Sequence, residues 1–90
     1  MAEAEQTIIN KLKEWNNVFE GIELNYTYDK ESNFHVVTVS PESIRRGDKK
    51  YRDAELHFWL NFMEYFPNEN LLIDKPDDRH DMSNILYTNK

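Results

Sequence analysis

The chain has 90 residues, a formal net charge of −6, 13% aromatic residues and no cysteine. That length fits one domain, 1–90, and the lack of cysteine excludes disulfides and thiolate chemistry. The acidic balance argues against binding along a nucleic-acid backbone, which calls for a basic face.

Nothing in the chain approaches the roughly 18 apolar residues of a membrane-spanning helix, so no membrane association is expected. The opening M-A-E-A-E-Q-T is acidic and lacks the basic and apolar parts of a secretory leader. A cytoplasmic setting is the expectation. A domain of this size hides only about 60–65% of the surface its unfolded chain exposes, so aromatic burial or association with a partner adds usefully to its stability.

Residues 4–19 predict the first helix, because Ile8, Leu12, Trp15 and Phe19 recur at spacings of four, three and four. Gly21 suits a helix stop, where glycine adopts positive φ without penalty. Residues 22–28 then alternate, with Ile22, Leu24, Tyr26 and Tyr28 on one face and Glu23, Asn25 and Thr27 on the other. Residues 29–33 form a polar turn, and Phe34–Ser40 is a second strand, antiparallel to the first. Its faces, Phe34/Val36/Thr38 and His35/Val37/Val39, are both partly apolar, which predicts a central place in the sheet.

Ser40-Pro41 closes that strand and is expected to cap a short helical turn through Ile44. Gly47 breaks the chain, and Asp48 is placed to cap a second long helix. Phe66-Pro67 ends it, since the residue before proline is pushed out of the helical region. Residues 48–66 are apolar around most of the helix, which predicts a central position with part of the surface turned to a partner. Asp53, His57, Asn61 and Glu64 share its polar stripe, which should meet solvent or line a groove. A third strand is read at Asn70–Asp74, a polar loop at 75–84 and a fourth short strand or docked tail at Ile85–Thr88. The expected fold is α+β, a two-layer sandwich in the order αββαβ or αββαββ, with a three- or four-stranded sheet covered on one face by two helices.

Several groupings carry possible chemistry. Arg45, Arg46, Lys49, Lys50 and Arg52 put five positive charges in eight residues at a helix start, a setting that attracts anions. The glycine-rich phosphate loop G-x-x-x-x-G-K-[ST] is missing, however, and a solvated loop with local ion pairs is the simpler account. Asp74, Asp77, Asp78, His80 and Asp81 place four carboxylates and an imidazole within eight residues, oxygen-rich ligands suited to Mg²⁺ or Ca²⁺. The spacing does not fit an EF-hand, and solvation explains it more simply.

His57 has carboxylates near it but no identifiable serine nucleophile, since Ser43 and Ser83 both fall in loops. His35 reads as a satisfied sheet residue. Trp15, Phe58, Trp59, Phe62 and Phe66 read first as core and second as interface. Tyr26, Tyr28, Tyr65 and Tyr87 suit a sheet edge or groove rim.

No catalytic, cofactor-binding or metal-ligating residues are assigned, and no cofactor is predicted. The leading expectation is a small acidic, non-enzymatic protein-interaction module, self-associating or held by another protein. The alternatives are a divalent-metal phosphoryl-transfer or nuclease-like enzyme and a nucleic-acid-binding accessory module.

Overall fold

The computed structural model describes residues 2–77 and 84–89. In chain order the elements are α1 (Ala2–Val18), β1 (Glu23–Asp29), β2 (Phe34–Ser40), α2 (Glu42–Arg45), α3 (Lys49–Tyr65), β3 (Asn70–Asp74) and β4 (Ile85–Thr88). The strands form one four-stranded mixed sheet in the order β3-β2-β1-β4. β1 is antiparallel to β2 and β4, whereas β2 and β3 are parallel. The fold is therefore the expected α+β arrangement, with the fourth strand present and β2 internal. No described helix is long and apolar enough to cross a membrane.

The hairpin has a four-residue connection, one shorter than expected, because Asp29 still pairs with Phe34. Its tightness rests on two short polar side chains. The Asp29 carboxylate accepts the Glu31 N–H at 3.0 Å, and Asn33 adopts φ +60°, a left-handed conformation that asparagine tolerates better than most residues. Gly21 ends α1 with φ +83° as anticipated. Asp48 caps α3, accepting from the N–H groups of Lys50 at 2.9 Å and Tyr51 at 3.3 Å. Ser40 makes no cap: Pro41 occupies the N-cap of α2 without a side-chain hydrogen bond. The Ser40-Pro41 peptide is cis.

Both long helices pack on one sheet face. Leu24 and Tyr26 of β1, Val37 and Val39 of β2 and Leu71 of β3 point to that face and are buried among Ala4, Ile8, Leu12 and Trp15 of α1 and Tyr51, Phe58 and Phe62 of α3. Burial of one such large apolar side chain contributes about 1.5–3 kcal/mol. Trp15 fills the angle between the helices, meeting Tyr51 edge-on at 5.2 Å and Phe58 edge-on at 5.7 Å between ring centroids.

α3 is less central than its composition suggests. It buries Tyr51, Phe58 and Phe62, while Leu56, Trp59, Leu60 and Tyr65 remain exposed. α1 holds the deeper position. On the opposite sheet face Thr27, Val36 and Thr38 are also buried, and the Thr27 hydroxyl donates to the Asn84 carbonyl at 2.7 Å.

The end of the chain is fastened by Asn89. Its side-chain oxygen accepts the Leu24 N–H at 2.9 Å, and its amide donates to the Ile22 carbonyl at 2.7 Å and to Asn16 at 2.9 Å. The side chain thus extends the β1–β4 ladder and ties it to the last turn of α1. Asn89→Ala leaves the Leu24 N–H and Ile22 carbonyl without these partners. We expect it to lower unfolding free energy by about 1–3 kcal/mol. Urea denaturation checks this, and an unchanged midpoint would show that water replaces the clamp at no cost.

Candidate functional site

Two surface grooves flank α3, one on each side. The first lies between α1 and α3, encloses about 330 Å³ and is lined by Val18, Lys50, Ala54, His57 and Asn61 among others. The polar stripe of α3 therefore borders a groove at His57 and Asn61, while Asp53 and Glu64 are exposed to solvent. Lys49 bonds Asp53 at 2.9 Å and holds its carboxyl below the usual range, chiefly through that hydrogen bond. Lys11 closes the groove's far side, 2.6 Å from Glu14 and 6.0 Å from the Phe58 ring centroid.

The second groove lies between α3 and β3, encloses about 360 Å³ and is lined by Glu55, Leu56, Trp59, Leu71, Leu72 and Ile73. Leu56, Trp59, Leu60 and Met63 lie three or four residues apart and so form one stripe along the helix, with Leu56 and Trp59 bordering the β3 groove and Leu60 on the outer side. Leu56 is 55% exposed, Leu60 50% and Trp59 39%. Among the described residues β3 has β2 as its only strand neighbour, so the groove borders a sheet edge.

Hydrogen-bond directions along that edge follow from the register. The Asn89 N–H donates to the Leu24 carbonyl, so the backbone groups of Leu24, and by alternation of Tyr26, face β4. Those of Asn25 and Thr27 face β2 and pair with Thr38 and Val36. His35 and Val37 are left to bond β3. In a parallel ladder each slanted bond goes to a neighbour of the residue directly opposite. Leu71 and Ile73, directly opposite His35 and Val37, therefore turn their backbone groups outward. The Trp59 indole N–H donates to the Leu71 carbonyl at 3.0 Å, occupying one outward acceptor.

A second constellation is internal. The Tyr26 hydroxyl lies 2.7 Å from His35 Nδ1, and His35 Nε2 lies 2.6 Å from a Glu69 carboxylate oxygen. With a neutral imidazole, donor and acceptor counts assign the proton to Nε2, which donates to Glu69, while the Tyr26 O–H donates to Nδ1. The row resembles a hydroxyl–base–carboxylate relay. Tyr26 is fully buried, however, and offers no substrate access. Burial, more than any neighbouring charge, pushes its phenol pKa up, so the group stays protonated. The relay is a core brace joining β1, β2 and the turn before β3, and His35 is a satisfied sheet residue as its sequence context suggests. Its ring also packs edge-on against Phe62 at 5.9 Å.

The remaining sequence candidates separate. In the basic stretch, Arg46 pairs with Glu42 at 3.3 Å, Arg45 approaches the same carboxylate at 4.0 Å and Lys49 is held by Asp53. The Arg45 side chain is largely buried, and its charge acts on Tyr51 and Glu55. Asp74 caps its own chain through the Lys75 N–H at 2.7 Å. Asp78, His80, Asp81 and Ser83 lie outside the described residues. Among the described residues no group of three or more His, Asp or Glu side chains is arranged to hold a metal. Trp59 and Tyr65 reach the surface, whereas Trp15, Phe58 and Phe62 are core and Phe66 is half-buried. The relay went unread in the sequence because Glu69 lies 34 residues from His35, in a segment with no periodic pattern.

No protein-family model matches the chain, and no curated protein or solved structure is significantly similar to it.

Two outcomes follow from the buried groups. Tyr26→Phe leaves Nδ1 of His35 buried without a donor and should cost about 1–3 kcal/mol. Glu69→Gln keeps an oxygen acceptor for the Nε2 proton and should cost less than Tyr26→Phe. Chemical denaturation of the two variants decides this, and a Tyr26→Phe protein as stable as wild type would overturn the brace.

Glu55 gives a pH signature. Burial raises its carboxyl pKa, against the opposing hydrogen bond from Tyr51 (2.8 Å) and the charge of Arg45. A pKa raised on folding adds stability below the unfolded value, about 4.3 for glutamate. That contribution is lost as pH rises through the folded value. Relative to Glu55→Gln, wild type should therefore gain stability on acidification from about pH 7 to about pH 4. Urea unfolding across that range measures it. A relative loss on acidification would mean that Arg45 and Tyr51 outweigh burial.

Proposed function

We propose that this protein is a non-enzymatic protein-interaction module that binds through the outer stripe of α3 and the adjoining β3 edge. The observation that carries the reading is the contiguity of Leu56, Trp59 and Leu60, all exposed, with the groove over Leu71 and Ile73. Scattered exposed leucines are ordinary on a monomer. A stripe of large side chains beside a sheet edge combines the two commonest recognition surfaces, an apolar helix face and unpaired strand backbone.

Energetics support the same surface. Trp59 is exposed on one face but anchored through its indole, so little rotamer entropy is lost when a partner covers it. Leu56 and Leu60 retain apolar area that a partner removes from water at about 25 cal/mol per Å². A cytoplasmic setting is part of the proposal, and a chain without cysteine is compatible with a reducing compartment.

The test is retention of a stoichiometric protein from extract of the source cells. Leu60→Asp should abolish retention with the melting temperature unchanged, whereas Lys13→Glu on the exposed side of α1 should leave it intact. Equal retention by both variants would remove the surface from consideration. No retention by wild type, together with no self-association, would remove the function.

A further inference from the structure

We propose that the occupant of the β3 edge is a second copy of the same chain, paired antiparallel through β3 so that the two sheets become one. The inference rests on the interaction reading above and deepens it.

The argument is self-complementarity. The outward backbone groups belong to Leu71 and Ile73. An antiparallel pair exchanges both hydrogen bonds between directly opposed outward residues. Centring a two-fold axis on Leu72 sets Leu71 opposite Ile73 of the second copy, and Ile73 opposite its Leu71. All outward amides of the strand then find partners. The same register sets Asn70 opposite Asp74 twice over, with no like charges facing. Asn70 and Asp74 lie with Leu72 on the sheet face away from the helices, because side chains alternate along the strand. An amide donor thus meets a carboxylate at each end of a Leu72–Leu72 contact.

On the helix side Leu71 and Ile73 sit beneath Leu56 and Trp59. A two-fold axis normal to the sheet keeps both copies of α3 on the same face, each presenting Leu56 and Trp59 toward the axis with Leu60 beside them on the outer side. One operation therefore covers the strand edge and the apolar stripe together, which makes an isologous interface. Trp59 is compatible with this arrangement: a carbonyl accepts two hydrogen bonds, so Leu71 can hold both the indole and the incoming Ile73 N–H. The net charge of −6 per chain opposes association at long range, so added salt should tighten the dimer.

Three readouts test the pairing. Sedimentation equilibrium at moderate salt should give a reversible dimer. Amide exchange should show protection at Leu71 and Ile73 that rises with protein concentration, with that of Leu72 independent of it. Asn70→Asp puts two carboxylates opposite each other at both ends and should weaken the dimer about three- to tenfold. Asn70→Asp with Asp74→Asn restores an amide opposite each carboxylate and should recover it. Both variants lose the Asn70–Asn33 hydrogen bond, so recovery separates the cross-strand pair from that loss.

A monomer up to several hundred micromolar overturns the second-copy proposal. The interaction reading then stands or falls on the Leu60→Asp retention experiment alone. A dimer with unprotected Leu71 and Ile73 amides, or one that the double variant fails to restore, overturns the edge pairing.

Discussion

The arrangement depends on how one sheet face accommodates two 17-residue helices. α1 carries a clean row of Ala4, Ile8, Leu12 and Trp15, and it takes the deep position against β1. α3 is left with the remaining width. Its Tyr51, Phe58 and Phe62 close the core against Trp15 and the sheet, Ala54 and Met63 pack at its margin, and Leu56, Leu60 and Tyr65 are left exposed. The exposure of Leu56 and Leu60 is thus a consequence of packing order. It does not arise from a surplus of hydrophobic residues scattered by chance.

Connectivity reinforces this. β2 and β3 are parallel, and parallel neighbours need a crossover element between them. α2 and α3 supply it, so α3 is obliged to cross the sheet and descend beside β3. The chain then leaves β3 for β4, which pairs with the opposite side of the sheet on β1. β3 therefore ends as an edge strand directly beneath the exposed side of α3. The strand edge and the apolar stripe share a location because the same crossover made both.

Much of this was legible in the residues. The alternation from Ile22 to Tyr28 is enforced by the pleat, and the apolar character of both faces of β2 reflects burial on both sides. The Asp48 cap, the Gly21 stop and the Phe66-Pro67 boundary are local decisions settled by backbone chemistry. What escaped were facts of tertiary placement. Helix periodicity says which residues are apolar but not which of two apolar helices wins the centre, so α3 looked more buried than it is. The Ser40 cap failed because capping needs the side chain beside a free helix N–H, and Pro41 holds the cap position itself. Glu69 and Asn89 sit in aperiodic segments, and their roles exist only once distant strands are side by side.

Trp59 marks where stability and recognition compete. An edge strand exposes backbone groups that pair indiscriminately unless something blunts them. Here an indole from the helix above takes the Leu71 carbonyl, which shields one acceptor at the start of the edge and leaves the Leu71 N–H and the Ile73 groups facing outward. The same contact fixes the ring, so that its outer face extends the Leu56–Leu60 stripe toward β3. A charged residue at this place would have protected the edge more fully and removed the apolar continuity between helix and strand. A tryptophan protects one carbonyl and keeps that continuity. An edge blunted only at one acceptor, and flanked by a rigid aromatic surface, favours a partner that matches both strand and stripe over one that offers a strand alone.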